Sequence, residues 1–185
     1  MTDSDRDLEL AAACAEHGFN LSEPLHIGGS YTSLVRDGRT LYLSGQLPRI
    51  GDHVAITGVV GAEVSMERAK RAAAISMLRA LTLLRQELGS LARLQGVLRL
   101  TVYVHCTAEF TQHSEVADGA SDLLWRVLGS AGAHARTSVG VLQLPKNAAV
   151  ELDVIAAAVV TEHATEHATE HATEVVAEVA SEAQA

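Results

Sequence analysis

The sequence predicts an α+β domain, and the hydrophobic pattern of the chain indicates this class in two ways. Several short segments alternate apolar and polar residues, as half-buried strands do. Between them lie two longer segments with apolar residues at helical spacing. The resulting order is ββαβαββ, preceded by one further helix, and two helices of this length can cover one face of a single sheet.

The first predicted elements are a helix and a hairpin. Residues 4–17 carry apolar side chains at roughly helical spacing and stop before a glycine, which is suited to a helix C-cap. Residues 27–37 and 40–45 have the pattern of two strands. The dipeptide Asp37-Gly38 between them favours a hairpin turn.

The longest predicted helix begins after Ser65, whose hydroxyl can cap it, and ends at Gly89. Residues 97–106 follow as a strand with one apolar and one polar face. The predicted apolar face consists of Leu98, Leu100, Val102 and Val104.

The last predicted elements are a second helix and two strands. The helix covers residues 114–128, and its apolar positions, Trp125 among them, are expected in the core. The strands start at Thr137 and Ala148, with a Pro-Lys-Asn turn before the second.

Length and composition predict one domain with short extensions. We expect a helix and linker over residues 1–24, the α+β domain over 25–160, and a tail over 161–185. The net charge is −9, and the tail holds six glutamates and no Lys or Arg, so the remainder has 17 acids against 14 bases, or −3. This balance argues against binding of nucleic acid through a basic surface.

The N-terminus and the cysteines predict a cytoplasmic protein. The chain starts with acidic residues where a signal peptide is basic, and no apolar run reaches the length of a membrane span. Cys14 and Cys106 have neither metal-type spacing nor a disulfide framework, so we expect two buried thiols.

The tail repeats Thr-Glu-His-Ala three times from Thr161. A four-residue period places His163, His167 and His171 along a slowly turning stripe if the tail is helical. Two such histidines can bind a metal ion, but a flexible or helical solvated acidic tail is the favoured interpretation. The sequence predicts no metal site.

One basic and one acidic residue in the last two predicted strands suggest a binding site. Arg136 opens one alternating apolar run and Glu151 lies inside the next, so the two strands are expected to bring both residues into one neighbourhood. A guanidinium matches a carboxylate with two parallel hydrogen bonds. A small carboxylate is therefore the predicted ligand.

Two sequence blocks carry a family resemblance. The first is Ala-Arg-Thr-Ser-Val-Gly-Val, with Leu-Pro and then Val-Glu-Leu-Asp beyond it, and the second is Leu-Tyr-Leu-Ser-Gly-Gln-Leu-Pro from Leu41. Together they resemble the Rid/YjgF family of reactive-intermediate imine deaminases, over roughly residues 25 to 160. The chain is most similar to a longer bacterial YjgF-like branch.

The resemblance implies a fold, an activity and a set of site residues. The fold would be a trimeric, chorismate-mutase-like barrel with sites between subunits. The reaction would hydrolyse 2-imino and enamino acids to 2-oxo acids and ammonia, with no metal and no cofactor. Arg136 would bind the substrate carboxylate and Glu151 would orient or activate water, while Tyr31, Ser44 and Ser138 would contact the substrate.

Other interpretations of these residues remain open at the level of sequence. The same trimer could bind a carboxylate metabolite or a partner enzyme without turnover, and Glu151 could simply form an ion pair with Arg136. Asp153 shares a strand face with Glu151, and an acid at Asp118 could repel a carboxylate substrate. His105 and His134 are weaker candidates for a general base. An endoribonuclease is the least favoured function.

Overall fold

A five-stranded sheet and two long helices form the architecture, with a third helix at the N-terminus. The computed structural model describes residues 3–26 and 28–159. The elements in chain order are α1 Asp3–His17, β1 Leu34–Asp37, β2 Thr40–Gln46, β3 Arg49–Ile50, β4 His53–Val54, α2 Met66–Leu88, β5 Leu94–His105, α3 His113–Leu128, β6 Ala135–Val141 and β7 Val150–Ala158.

The strand order in the sheet is β1-β2-β7-β5-β6. All neighbours are antiparallel except β5 and β6, which α3 connects as a parallel pair. The α+β class and the order ββαβαββ are confirmed. The hairpin of β3 and β4 is an addition that the sequence pattern did not predict. The histidine-containing tail over 161–185 lies outside the described residues.

Helix α1 is held against the domain by its own polar side chains. Arg6 donates to the backbone oxygens of Leu91 and Leu94, and Asp7 accepts hydrogen bonds from Ser90 and the Leu91 amide. The buried side chains of α1 belong to the same hydrophobic core as the sheet. The N-terminal helix therefore forms part of the core.

The first strand is shorter than predicted. Of the range 27–37, only Leu34–Asp37 pairs with β2, and residues 28–33 form bends. Ser44 extends the connection, because its amide donates to the Ser33 carbonyl. Two glycines and serines in the bend segment favour turns over a strand, and the result is an open space beside the end of β2.

Helix α2 is the central helix of the domain. Ser65 accepts a hydrogen bond from the Arg68 amide at the N-cap, and Gly89 ends the helix with φ of 79°. Every side chain from residue 72 to residue 84 is buried. A helix buried on all sides must be surrounded by other elements, and Arg79 is the one charged residue within this buried span.

The predicted apolar face of β5 is wrong at its start. Leu98 is 51% exposed and Val97 is buried, because the register with β7 shifts between Val97 and Arg99. Such a bulge moves the following side chains to the other face. From Leu100 onward the predicted alternation holds.

The two faces of the sheet have different environments. One face, called here the helix face, packs against α2 and α3 through Leu100, Val102 and Leu152. The opposite face, called the open face, has no helix over it among the described residues. Trp125 on α3 was predicted in the core, but its side chain is 51% exposed because it lies away from the sheet.

Candidate functional site

A cavity of about 230 Å³ lies beside the end of β2. It is smaller than the roughly 300–1,000 Å³ of pockets for drug-sized ligands, so it suits a small metabolite. Its polar and charged lining includes Tyr31, Ser44, Arg49, Arg79, Lys146 and Glu151. We call this space the Glu151 cavity.

Glu151 lies on β7 and points to the open face, because it is paired with Tyr103 of β5. Burial raises the pKa of its carboxyl above the ordinary value, and the nearby negative charge of Asp153 raises it further. Asp153 itself accepts a hydrogen bond of 3.0 Å from the Tyr103 hydroxyl. The result is a partly desolvated carboxyl with increased basicity.

Gly45 leaves the space that the Glu151 carboxyl occupies. A Cβ at residue 45 would lie 2.1 Å from Glu151 Oε1, which is far inside van der Waals contact. A register shift in β2 between Leu43 and Gln46 brings the backbone close to this carboxyl. The Ser-Gly-Gln segment thus has a steric role at the cavity that the residue types alone did not indicate.

Ser44 and Tyr31 are the predicted substrate-binding hydroxyls that line the same cavity. The Ser44 hydroxyl donates to the Ser33 carbonyl at 3.3 Å, and Gln46 Nε2 lies 3.0 Å from the Ser44 carbonyl oxygen. Tyr31 belongs to the bend segment before β1 and is 52% exposed. Of the five predicted site residues, Glu151, Ser44 and Tyr31 therefore share one cavity.

Arg136 and Ser138 lie elsewhere, on β6. Arg136 Nη1 donates to Asp118 Oδ1 at 2.9 Å and to Ser121 Oγ at 2.8 Å, while Nη2 donates to the Ser114 carbonyl. The Ser138 hydroxyl is 3.4 Å from the Ser114 hydroxyl. We call these residues the Arg136 cluster; its members are Ser114, Asp118, Ser121, Arg136 and Ser138.

Within one chain, the predicted meeting of Arg136 and Glu151 does not occur. Strand β5 separates their strands, since β7 pairs with β5 and β2 rather than with β6. Arg136 is paired with Leu100, so it points to the helix face, whereas Glu151 points to the open face. The acid that pairs with Arg136 is Asp118.

The cations of the Glu151 cavity were not predicted from the sequence. Arg79 comes from the middle of α2, Arg49 from β3, and Lys146 from the turn before β7. Lys146 and Asn147 have φ of 58° and 56°, a left-handed conformation that is uncommon for lysine. The available signal was Arg79 itself, because a charged residue inside a long apolar stretch requires a partner or a function.

Cys106 and His134 each belong to a smaller hydrogen-bonded group, one with His113 and the other with Ser121. His134 Nδ1 donates to the Gly132 carbonyl at 2.7 Å, so Nε2 accepts from Ser121 and connects His134 to the Arg136 cluster. His105 is buried on β5. Cys106 Sγ lies 3.4 Å from His113 Nε2, which the sequence did not indicate. Burial raises the pKa of both thiols, and that of Cys14 rises to about 11.

The described residues hold neither a metal-binding group of side chains nor a membrane-spanning helix. Across residues 3–26 and 28–159, no group of three or more His, Cys, Asp or Glu side chains is placed to hold a metal ion. In the same part of the chain, no helix combines the length and apolar character needed to cross a membrane.

Comparison with known proteins places the cavity and the cluster inside a recognised domain. A family model described as "YjgF/chorismate_mutase-like, putative endoribonuclease" matches residues 10–158. Protein TCP17 of Trypanosoma cruzi is 38% identical over 147 residues, which are 79% of this chain and 92% of that protein.

Two solved structures have the same fold at appreciable identity. The protein Atu1372 of Agrobacterium tumefaciens, whose function is unknown, is 34% identical with a TM-score of 0.76, over 85% of this chain and 97% of that chain. A "putative endoribonuclease" from Shewanella oneidensis MR-1 is 27% identical with a TM-score of 0.74, over 80% and 98% of the two chains.

Proposed function

The chain belongs to the YjgF/chorismate mutase-like family, and from that premise we propose that it hydrolyses reactive 2-imino acids and their enamine tautomers to 2-oxo acids and ammonia. The observation that carries this proposal is the carboxyl of Glu151. It is half-buried, has a raised pKa, and lines a cavity sized for a small molecule together with hydroxyls and cations. A basic carboxyl in such a setting suits the activation of a water molecule.

The proposed active unit is a homotrimer with its sites between subunits. Its support is that Glu151 and Arg136 point to opposite faces of one sheet. Strand β6 is an edge strand, and apolar side chains remain exposed on the open face, Tyr42 and Val139 among them. A neighbouring copy that covers the open face would bring its own Arg136 cluster towards the Glu151 cavity.

In the proposed complex, Arg136 of one subunit binds the substrate carboxylate. Asp118, Ser121 and Ser114 hold Nη1 and one N–H of Nη2, and the described residues give Nε no hydrogen-bond partner. Nε–H and the other Nη2–H lie on the same side of the guanidinium, so they can donate two parallel hydrogen bonds. Ser138 lies beside this group, and Tyr31 and Ser44 would contact the substrate from the Glu151 cavity.

The reaction begins when Glu151 accepts a proton from water. The water oxygen bonds to the imine carbon, and Glu151 passes this proton to the imine nitrogen, which gives a tetrahedral adduct carrying one hydroxyl and one amino group. Glu151 then accepts the hydroxyl proton and delivers it to the amino nitrogen, so the carbon–nitrogen bond breaks as the carbonyl of the 2-oxo acid forms. Ammonia leaves, and Glu151 returns to its ionised state.

Most of the acceleration in this scheme comes from position. Imines already hydrolyse slowly in water, so the protein needs only to hold the carbon and the water oxygen about 3 Å apart in the correct orientation. No metal or cofactor takes part in the scheme. The raised pKa of Glu151 adds general-base assistance to this positioning.

A second function uses the same residues without turnover. Cations and hydroxyls around a small cavity also support binding of a carboxylate metabolite, since ground-state binding needs no activated water. This alternative is supported by the excess of positive charge in the cavity lining, which contains three cationic side chains and one carboxyl. Glu151→Gln separates the two functions, because it should preserve binding and remove turnover.

Cleavage of RNA, which the descriptions of relatives mention, has less physical support in this chain. The protein carries a net charge of −9, and a polynucleotide needs a cationic path along its phosphates. The Glu151 cavity is too small to hold several nucleotides. Small imines are therefore the substrates to test.

The experiment generates 2-aminoacrylate and branched or aromatic 2-imino acids in situ and measures release of ammonia and 2-oxo acid. Wild-type protein should accelerate hydrolysis, while Glu151→Gln and Arg136→Ala should reduce the enzymatic rate by about 10²–10⁴-fold and by at least tenfold respectively. Absence of acceleration by a verified trimer would reject deamination. Activity that survives in both variants would reject the residue roles.

A further inference from the structure

Arg79 is a buried cation that the proposed mechanism leaves without a role. Its side chain is 6% exposed, and it lies in the fully buried span of α2. Its hydrogen bond runs from Nη2 to the His26 carbonyl at 3.3 Å, and its Nε is buried without a partner. Among the described residues, no carboxylate forms an ion pair with it.

An unpaired buried charge is costly to the folded state. A guanidinium removed from water loses its hydration, and only an anion or several acceptors can compensate for this loss. The pKa of Arg79 is lowered by burial and by the positive charge of Arg49, which agrees with this imbalance. Glu23 lines a smaller adjacent space with Arg79, but Asn20 Nδ2 donates to Glu23 Oε1.

The missing anion has a place to bind, because Arg79 lines the Glu151 cavity. Arg49 and Lys146 line the same space, so three cations surround a cavity in an otherwise acidic protein. The α-carboxylate of an imino acid is already assigned to Arg136. Arg79 is therefore available for a second anionic group on the same molecule.

We propose that Arg79, assisted by Arg49, binds a distal carboxylate of the substrate, so that the preferred substrates are dicarboxylic 2-imino acids derived from acidic amino acids. The inference rests on the proposed function for the chemistry at Glu151. The binding of the second carboxylate can nevertheless be measured without turnover. Arg79 thus acts as a specificity-determining residue of the cavity.

The turnover experiment compares two substrates of similar size and branching. One is 2-iminoglutarate, and the other is 2-imino-5-methylhexanoate, in which an isopropyl group replaces the distal carboxylate. We expect wild type to prefer the dicarboxylate by about 10- to 100-fold in kcat/KM, as hydrogen bonds to a charged group allow. Arg79→Gln should abolish this preference, through a lower kcat/KM for the dicarboxylate.

The control variant is Arg85→Gln. It removes a positive charge from the same helix, but Arg85 faces Asp7 and does not line the cavity. This variant should retain the preference of wild type. A preference that persists in Arg79→Gln, or that is absent from wild type, would overturn the inference.

A binding experiment keeps the inference separate from the proposed function. Calorimetry with 2-oxoglutarate and 5-methyl-2-oxohexanoate should show tighter binding of the dicarboxylate, and the difference should disappear in Arg79→Gln. If wild type hydrolyses no imine but shows this difference, deamination fails and the second carboxylate site stands. If Arg79→Gln binds both ligands as wild type does, the site assignment fails.

Thermal unfolding distinguishes a ligand-binding arginine from a structural one. Because Arg79 has no acidic partner, Arg79→Gln should leave the melting temperature of the free protein unchanged or raise it. Saturating 2-oxoglutarate should raise the melting temperature of wild type and not that of the variant. If Arg79→Gln has a lower melting temperature and binds both ligands equally more weakly than wild type, Arg79 has a structural role and the inference is overturned.

Discussion

Glu151 determines the pH range in which the proposed chemistry can operate. Only the ionised carboxyl accepts a proton from water, and burial with the charge of Asp153 raises its pKa above the ordinary 4.5. The rate should therefore fall as pH decreases through this raised pKa, so the acidic limb of kcat/KM should lie above pH 4.5.

Asp153→Asn should move that limb to lower pH. The substitution removes the negative charge that raises the pKa of Glu151, while the larger cause, burial, remains. The asparagine oxygen can still accept the Tyr103 hydrogen bond, so the geometry should persist. A pH–rate profile beside wild type measures the shift, and an unchanged or higher limb would contradict the electrostatic account of Glu151.

In the proposed complex, Asp118 competes with the substrate carboxylate for the charge of Arg136. Its carboxylate lies 2.9 Å from Arg136 Nη1, in an ion pair that is partly exposed. Asp118→Asn should keep the hydrogen bond and leave the guanidinium without an ionic partner. We expect KM for a carboxylate substrate to fall about two- to fivefold, matching the roughly 0.5–1 kcal/mol of an exposed ion pair.

The control for Asp118→Asn is Asp122→Asn, at an exposed position one turn along α3. It changes the net charge equally and should leave KM unchanged. Steady-state kinetics at two salt concentrations separates local competition from long-range charge, which salt screens more strongly. Equal effects of both variants would indicate a general charge effect.

At the scale of elements, the end of β2 makes room for the Glu151 carboxyl because residue 45 has no side chain. Gly45→Ala should displace the Glu151 carboxyl, because the new Cβ would lie 2.1 Å from Oε1. We expect activity to fall at least about tenfold, since small misplacements of catalytic groups are costly. The control is Gly28→Ala. Gly28 lines the same cavity, but a Cβ there would have no atom within 4 Å, so this variant should retain activity.

Helices α2 and α3 lie close together at Gly119. A Cβ there would lie 2.1 Å from the Lys70 carbonyl oxygen, so Gly119→Ala must push the helices apart. Overpacking costs about 1–3 kcal/mol, which exceeds the ~1 kcal/mol that alanine gains in a helix. Urea unfolding should show net destabilisation, whereas Asp122→Ala at an exposed position of α3 should be nearly neutral or stabilising.

The sequence predicts elements better than it predicts their arrangement. Ser65 and Gly89 mark the ends of α2 because caps act on the nearest backbone groups, and the class and order of elements follow from local periodicity. The bulge at Val97–Arg99 and the insertion of β7 between β2 and β5 depend on pairing between distant segments. The sequence around Arg136 or Glu151 does not indicate that the two side chains point to opposite faces of the sheet.

The candidate site follows the same rule. The family resemblance selected Glu151, Ser44 and Tyr31, and these side chains share a cavity. Arg79 on α2 lines that cavity although it lies more than seventy positions before Glu151 in the sequence. Its lack of an ionic partner can be recognised only from the positions of the surrounding side chains. Burial and partners are tertiary properties, so this residue could be noticed in the sequence but not assigned.

For the whole molecule, the open face is the feature that favours assembly. Val35, Tyr42 and Val139 are each at least 39% exposed on it. One-sided sheets with apolar residues on the uncovered face gain from burial by another copy. The proposed trimer should therefore elute with the mass of three 19.5-kDa chains, and Val139→Lys should weaken it.

The sharpest test of the whole assembly is complementation between two inactive variants. Arg136→Ala retains Glu151, and Glu151→Gln retains Arg136, so a site between subunits can combine the intact residue of each. In a ring of three, every mixed trimer contains one such ordered pair of neighbours, so purified mixed trimers should recover about one third of their sites. Co-expression with two tags and purification of mixed trimers measures this recovery, and the separately expressed variants mixed without exchange are the control. If the Arg136 cluster and the Glu151 cavity act within one chain, the mixed trimers should remain inactive, because every chain then lacks one of the two residues.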